Sequence, residues 1–555
     1  MKKCLFSIML ALAALTALAQ ELTFTNGVFF INEDRYGANH GSINFYNYDY
    51  GAMEYNVFAL VNPGVKLGVT SQHGQVFGGR LFVMSKQANG SEASGSTEGS
   101  RLAMLDATTL TQQACILRFG ASADSVYDGR AYCGVTPDKG YVSTNAGIFT
   151  VHIPDMTVSG PIQGTSSSAK GDYNSLYYEQ CGDMVRFGQY VFAVQQGRGL
   201  HVIDPATDAV LTTLPFPDIV TVFVTAAGRL YVANNNREVY DFGSGPYLSD
   251  FTQVDPVTFE TLAVHELGDK GALCAWGAWH ARMLCVDPVA ERVYYNHEEY
   301  QNFISCYDFT TRELTDTLIL LPEGVEIMWD GTRERQGLYS SALSFDPHTG
   351  DLVVQTTEAA PMYAYQNFNH NWVLFYDAAT ATLKRQVRLQ DAYWFPALAV
   401  YPDLYRPEVN LADVTVAAGK EWTVNLPDAV TDRDNMAALI VTTAKAADKT
   451  VARAWVSGLT LHVAGVSPGR TTVEVTADSN GQLATATFVV TVTGGSKLGD
   501  VNMDGRVSID DVTDLIDILL GSVLTVYDMA AADVDQNGKL TIDDVTTLID
   551  MLLSH

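Results

Sequence analysis

One two-part phrase recurs seven times between residues 27 and 377, and it constrains the fold more than any other feature. Its first half is a turn residue followed by a β-rich run: Gly27-Val-Phe-Phe-Ile-Asn, Gly79-Arg-Leu-Phe-Val-Met-Ser, Gly140-Tyr-Val-Ser-Thr-Asn, Gly188-Gln-Tyr-Val-Phe-Ala-Val, Gly228-Arg-Leu-Tyr-Val-Ala-Asn, Glu291-Arg-Val-Tyr-Tyr-Asn and Gly350-Asp-Leu-Val-Val-Gln. Its second half is an apolar strand that ends on a polar residue before a turn, at Asn47, Asp106, His152, Asp204, Asp255, Asp308 and Asp377. From Asn47 to Asp377 the step averages 55 residues, room for four strands and their loops, which is a blade period. A β-sandwich also alternates strands, but nothing in it requires the same pair seven times in the same order. The spacing predicts a seven-bladed β-propeller over residues 20–402. The recurrent Asp has a local purpose, since its carboxylate can accept backbone N–H groups of the turn that follows.

Charge narrows the function classes. With 63 acidic and 34 basic side chains the net charge is −29, and no segment is strongly basic, which argues against a nucleic-acid partner and against an anionic membrane surface. The chain opens with Lys2 and Lys3, an apolar run from Leu5 to Leu15 and a small-x-small site, Ala17-Leu18-Ala19. That pattern predicts a secretory signal peptide over residues 1–19. The run is too short for a membrane helix. Cys4 precedes the run instead of following it, so a lipid anchor lacks its acceptor. Cleavage removes two lysines and takes the charge to −31. The expectation is a secreted protein with no membrane span.

Six cysteines remain: Cys115, Cys133, Cys181, Cys274, Cys285 and Cys306. Export permits disulfides, with Cys115–Cys133 and Cys274–Cys285 close enough in sequence for neighbouring strands, while free buried thiols are the alternative. The absence of any CxxC pair argues against zinc.

On the phrase Leu230-Tyr-Val-Ala-Asn-Asn, followed by a strand, Asp and a Thr-rich turn, the first segment resembles the YVTN or YncE-like propellers. Its opening, Phe30-Ile-Asn-Glu-Asp-Arg-Tyr-Gly37-Ala-Asn, is similar to the exported Bacteroidetes branch. Some members of that branch capture cobalamin at the cell surface, so the resemblance implies a cobalamin-like ligand. Residues following the inner strands are the candidate ligand contacts. They are Asn32, Glu33 and Tyr36, then Asn234, Asn235 and Asn236, then His297, Glu298 and Tyr300, then Tyr363, Tyr365, Asn369 and Trp372. Aromatic rings flanked by amides suit sugars or a flat macrocycle, because ring faces remove apolar surface from water while amides fix orientation.

After Tyr401-Pro-Asp-Leu-Tyr-Arg-Pro407 aromatics thin out and Val, Thr and Ala alternate, as in Ala486-Thr-Phe-Val-Val-Thr-Val492. Residues 403–494 are expected to form a β-sandwich. They resemble cadherin-like or bacterial Ig-like modules, which serve as spacers.

The last segment, residues 495–555, contains one sentence twice. Asp500-Val-Asn502-Met-Asp504-Gly505-Arg506-Val-Ser508-Ile-Asp510-Asp511 is matched 33 residues later by Asp533-Val-Asp535-Gln-Asn537-Gly538-Lys539-Leu-Thr541-Ile-Asp543-Asp544. A calcium ion needs oxygens converging from one short loop. Positions 1, 3, 5 and 12 supply side chains, position 7 (Arg506, Lys539) a backbone carbonyl, and position 9 (Ser508, Thr541) a place for a ligating water, with Gly505 and Gly538 at the sharp turn. Two Ca2+ ions are expected. Helices follow, with apolar residues at Val512, Leu515, Ile516, Leu519 and Leu520, and again at Val545, Leu548, Ile549, Leu552 and Leu553. Asp at position 12 and the lack of a helix before the first loop are similar to dockerins, which plug into cohesin domains. That resemblance implies a cohesin-like partner and places its contacts at Ile509, Asp510, Ile542 and Asp543 and on the helix faces that follow.

Three function classes stay open for the propeller: a binding module for a glycan or small ligand, a glycan-active enzyme, and a scaffold or adhesin. Glycoside cleavage needs two carboxylates at a set separation, and 63 acids nominate no pair. No GxSxG, HExxH or phosphate-cradling loop occurs in a supporting context.

Overall fold

The structure is a computed structural model. It describes residues 22–554 apart from 36–37, 89–97, 121–126, 168–178, 238–244, 275, 277–283, 299, 328–330, 340–341, 359–366, 495–496, 503, 522–526 and 528. The expected leader lies outside the described residues, as do Tyr36, Tyr363 and Tyr365. The fold is mainly β, and the chain divides into two compact units, the first ending at Tyr405 but also taking in Asn480–Gln482, the second formed by Arg406–Ser479 and the chain from Leu483 onward.

Among the described residues, the first unit contains seven four-stranded antiparallel sheets. Six occupy 69–116, 129–159, 181–214, 219–266, 285–320 and 343–388 in turn, and the other joins strands from 27–54 to Pro396–Val400. The recurring phrase supplies the second and third strands of each. Arg80–Gln87 and Leu102–Asp106, for example, pair from Arg80↔Asp106 to Met84↔Leu102. First strands pack on one another from sheet to sheet: Val69–Phe77 on Gly129–Thr136, that on Cys181–Phe187, and that on Ile219–Val224. Cys285–Val286 packs on Leu343–Phe345, that on Pro396–Val400, and Pro396–Val400 on Val69–Phe77.

This stacking explains why the phrase reads as an unbroken apolar run. A strand covered on both faces must be apolar at odd and even positions alike. In Gly27–Asn32 all six residues are buried. Phe29 and Ile31 join a core with Val76, Leu81 and Val83, whereas Val28 and Phe30 join one with Val353, Val373 and Phe375. The outermost strand Thr382–Arg388 is almost wholly exposed and correspondingly polar. Gly79 and Gly228 turn into their strands at φ +72° and +73°, a conformation that costs glycine little. The turn aspartates act as expected. Asp106 Oδ1 accepts from the N–H groups of Thr108 and Thr109 at 3.0 and 2.8 Å, and Asp255 Oδ1 from Val257 and Thr258 at 2.8 Å each.

Of the two readings left open for Cys115 and Cys133, the structure has the unpaired one. Both are free thiols, and their strands, Gln112–Ile116 and Gly129–Thr136, are the last strand of one sheet and the first of the next. Cys181 and Cys306 are also free and buried.

In the second unit a four-stranded sheet (Val414–Ala417, Gln482–Thr493, Gly469–Ser479, Val441–Ala446) accompanies a three-stranded sheet (Glu421–Asn425, Thr460–Gly465, Ala452–Ser457). Val414–Ala417 runs parallel to Gln482–Thr493, and all other pairs in these two sheets whose register is given are antiparallel. Alternating residues such as Val473, Val475 and Ala477 form the shared core with Leu461, Val463 and Val490. The helical segment that ends the chain has its own small core of Val501, Val512, Leu515, Ala532, Val534, Val545 and Leu548.

Candidate functional site

Sequence places the ligand residues at the ends of inner strands, and the structure separates them by burial. Asn32 is fully buried with Nδ2 on Ser42 Oγ at 3.0 Å. Glu33, 1% exposed, accepts from Gln72 Nε2 at 3.0 Å and from the Tyr339 hydroxyl at 2.7 Å. Trp372, 2% exposed, packs with Tyr294, Leu338 and Leu374. All three lie in the interior, Asn32 and Trp372 on strands sandwiched between sheets and Glu33 directly after such a strand. Asn234 bonds across to its partner on the neighbouring strand, and Asn235 and Asn236 fasten loops. Asn234 Nδ2 donates to Asp250 Oδ1, Asn235 Nδ2 to the Ala272 carbonyl, and Asn236 Oδ1 accepts from Leu248 N, each at 2.8 Å. Asn369 ends a 3-10 turn, Asn367–Asn369, and its carbonyl accepts from Ala392 N.

His297, Glu298 and Tyr300 do meet at one place. They line a cavity of about 410 Å³ with Arg237, Lys270 and Phe303. The Arg237 guanidinium pairs with Glu298 Oε1 at 2.9 Å, and Lys270 Nζ with Asp316 Oδ2 at 3.4 Å. His297 Nε2 lies 2.8 Å from Asp316 Oδ1 and Nδ1 lies 3.0 Å from the Gly271 carbonyl. Partial burial works against ionisation of Asp316, but the hydrogen bond to His297 and the charge of Lys270 hold it below the usual carboxylate range. Tyr300 stacks on Phe368 at 5.7 Å, and Phe368 meets Phe395 at 5.0 Å, which in turn meets Tyr339 at 4.2 Å. Sequence reasoning missed Arg237, Lys270, Asp316 and the rings of Phe368, Phe395 and Tyr339 beyond Tyr300. Arg237 follows the Asn triad directly and was the one legible signal.

Glu358, also at the end of a second strand, is fully buried. Oε1 accepts from Val325 N and Glu326 N at 2.8 Å each, and Oε2 meets His370 Nδ1 at 2.7 Å. A Cβ at Gly324 would stand 2.0 Å from Oε1, so this acid anchors the hairpin strands Glu323–Ile327 and Arg333–Arg335.

In the second unit the duplicated loops carry the same bonds 33 residues apart. Asp500 Oδ2 accepts from Gly505 N at 3.0 Å, and Asp533 Oδ2 from Gly538 N at 2.8 Å. Asp504 Oδ1 accepts from Arg506 N and Asn537 Oδ1 from Lys539 N, at 2.8 and 2.9 Å. Asn502 Oδ1 accepts from Asp504 N at 3.1 Å, and Asp535 Oδ1 from Asn537 N at 3.0 Å. Position 12 is fully buried in both copies, with Asp511 accepting from Asn502 N and Ser508 N, and Asp544 from Asp535 N and Thr541 N. Ser508 and Thr541 cap the helices Ile509–Leu519 and Ile542–Leu553, each in a capping box with the position-12 Asp.

A hard cation fits this donor set. Carboxylate oxygens of Asp533, Asp535 and Asp544 lie within 4.8 Å of one another. Asp500 Oδ1 is buried without a hydrogen-bond partner. Burial, and then the like charges of Asp511 and Asp504, push the Asp500 carboxyl above its usual range.

The helix faces differ from the expected stripe. Val512 and Leu515 are buried with Val545 and Leu548, whereas Ile516 and Leu520 are 38% and 77% exposed. At 100° per residue Ile516 and Leu520 share a face with Ile509, itself 67% exposed. The second helix repeats this with Ile542 and Leu553, 63% and 80% exposed.

Successive four-stranded sheets, each covered by its neighbours and joined by a final strand to the first, define the first unit as a β-propeller protein. Residues 26–402 match the family described as Domain of unknown function, DUF5074, and the chain belongs to that family. Similar solved structures include a quinonprotein alcohol dehydrogenase-like protein from Bacteroides thetaiotaomicron, with TM-score 0.45 and 12% identity over 68% of this chain and 79% of that one. The extracellular domain of a hybrid two-component system from the same bacterium has TM-score 0.35 and 10% identity over 86% and 56%. The Cps50 (Swd1) propeller of Myceliophteria thermophila has TM-score 0.36 and 13% identity over 60% and 95%. No curated protein matches the chain. Among the described residues no helix is long and apolar enough to cross a membrane.

Proposed function

We propose that this is an exported docking protein, in which a calcium-loaded dockerin carries a seven-bladed, ligand-binding propeller onto a cohesin-like partner. The observation that carries this reading is the duplicated loop, whose acidic oxygens converge with like charge and, at Asp500 Oδ1, no hydrogen-bond partner. Asp500, Asn502, Asp504, the Arg506 carbonyl and Asp511 would hold one Ca2+, and Asp533, Asp535, Asn537, the Lys539 carbonyl and Asp544 the second. Bound calcium supplies the positive charge that these carboxylates lack and so stabilises the folded segment. The exposed Ile509, Ile516 and Leu520, and in the second copy Ile542 and Leu553, present apolar area to the partner, with Asp510 and Asp543 beside it favouring a basic patch.

The two sheets of 406–494 serve as an Ig- or cadherin-like spacer. On the propeller, the cavity beside His297 and Tyr300 is the place for a small polar ligand. The Lys-rich apolar leader supports secretion. The decisive experiment is a pull-down from the producing organism's secretome with the full chain, with and without chelator. Calcium-dependent recovery of a cohesin-like protein supports the reading, and equal recovery without calcium overturns it.

A further inference from the structure

We infer that the cavity beside His297 binds a neutral saccharide through neighbouring hydroxyl pairs. This rests on reading the propeller as a binding module and names what that module takes. Both wall cations are already matched to a carboxylate, Arg237 to the wall residue Glu298 at 2.9 Å and Lys270 to Asp316, outside the lining, at 3.4 Å. Each sugar hydroxyl both donates and accepts, so two adjacent hydroxyls complete such a pair, taking N–H donors from the cation and giving O–H to the carboxylate. An isolated anion would face Asp269 and Glu298, and an isolated cation would face Arg237 and Lys270. A flat macrocycle with side arms outgrows about 410 Å³, which lies toward the small end of ligand pockets.

The rings of Tyr300 and Phe303 border the same space and suit the C–H face of a pyranose. Tyr300 is held by its stack on Phe368 at 5.7 Å and an interplanar angle of 25°. His297, buried between Gly271 O and Asp316 Oδ1, keeps Asp316 turned toward Lys270. The ion pairs remain reachable, since the side chains of Arg237, Lys270 and Glu298 are 33%, 42% and 60% exposed.

The test is calorimetry of the full calcium-loaded chain against neutral glucan, xylan and mannan oligosaccharides, oligo-uronates and dicyanocobinamide. It is repeated with Glu298→Gln and with Lys270→Met, two exposed positions whose replacement should leave the melting temperature unchanged. Binding of a neutral oligosaccharide that each variant weakens roughly tenfold or more supports the inference. Binding of a neutral sugar that ignores both variants overturns the assignment to this cavity. Binding of only the uronates or the cobinamide overturns the ligand class and leaves the binding reading standing. Binding of nothing in the panel overturns both.

Discussion

Tyr339 donates its hydroxyl to Glu33 Oε2 at 2.7 Å, although 306 residues separate them in the chain. Both are buried, and the bond ties the loop before the sheet at 343–388 to the end of strand Gly27–Asn32. It acts alongside the pairing of that strand with Pro396–Val400, in which Phe29 faces Val400 and Ile31 faces Leu398. The N-terminal strand of the propeller is therefore held by side chains and backbone from its far end.

Tyr339→Phe removes one donor from a buried carboxylate and should destabilise the propeller by about 1–3 kcal/mol. Urea unfolding at pH 7 measures it. An unchanged midpoint would show that Gln72 and the remaining contacts satisfy Glu33 alone.

His201 should make the propeller acid-sensitive. Its Nε2 lies 2.7 Å from Gln195 Oε1 and Nδ1 2.8 Å from Thr213 Oγ1. Burial, aided by the charge of Arg198, pushes its pKa from 6.5 down to about 4. A depressed histidine binds more protons unfolded than folded, so stability is complete above pH 6.5 and falls as pH drops toward 4, by about 3 kcal/mol. His201→Gln should flatten that part of the pH profile, and a slope identical to the parent would refute the assignment.

Trp372 tests interior against ligand wall. Trp372→Ala should cost about 3–5 kcal/mol through the cavity it leaves beside Tyr294 and Leu374. Thermal unfolding at the parent's temperature would contradict its burial.

Calcium should govern the C-terminal segment and leave the propeller alone. Hydrogen exchange over 500–554 should rise sharply on chelation, because a core of Val501, Val512, Leu515, Val545 and Leu548 is too small to offset like charges at the loops. Equal protection with and without chelator would sink this claim.

The two partner faces should be nearly interchangeable. Ile509→Asp with Asp510→Lys should lower partner affinity only slightly, and the same change at Ile542 and Asp543 likewise, while both together abolish binding. If calorimetry shows that one pair alone eliminates binding, the duplication serves calcium and folding only.

Local chain geometry made much of this legible. The turn-plus-strand phrase marks the second and third strands of each sheet because backbone turns and period-two burial are properties of six or seven consecutive residues. The loops from Asp500 and Asp533 are legible for the same reason, since twelve consecutive residues hold the whole donor set and its capping residue.

What needed tertiary structure was every choice between two faces or two distant partners. The apolar residues of Ile509–Leu519 are compatible with one broad buried stripe, but only the packing of Val512 and Leu515 against Val545 and Leu548 leaves Ile516 and Leu520 outside. Trp372 and Tyr300 look alike in sequence, as aromatics after a strand, yet neighbouring sheets close over the first and a cavity opens beside the second. Arg237 finds Glu298 and Lys270 finds Asp316 between segments that belong to different sheets. Periodicity specifies which residues share a face, whereas the face that meets water is decided by contacts far apart in the chain, and no local pattern encodes those.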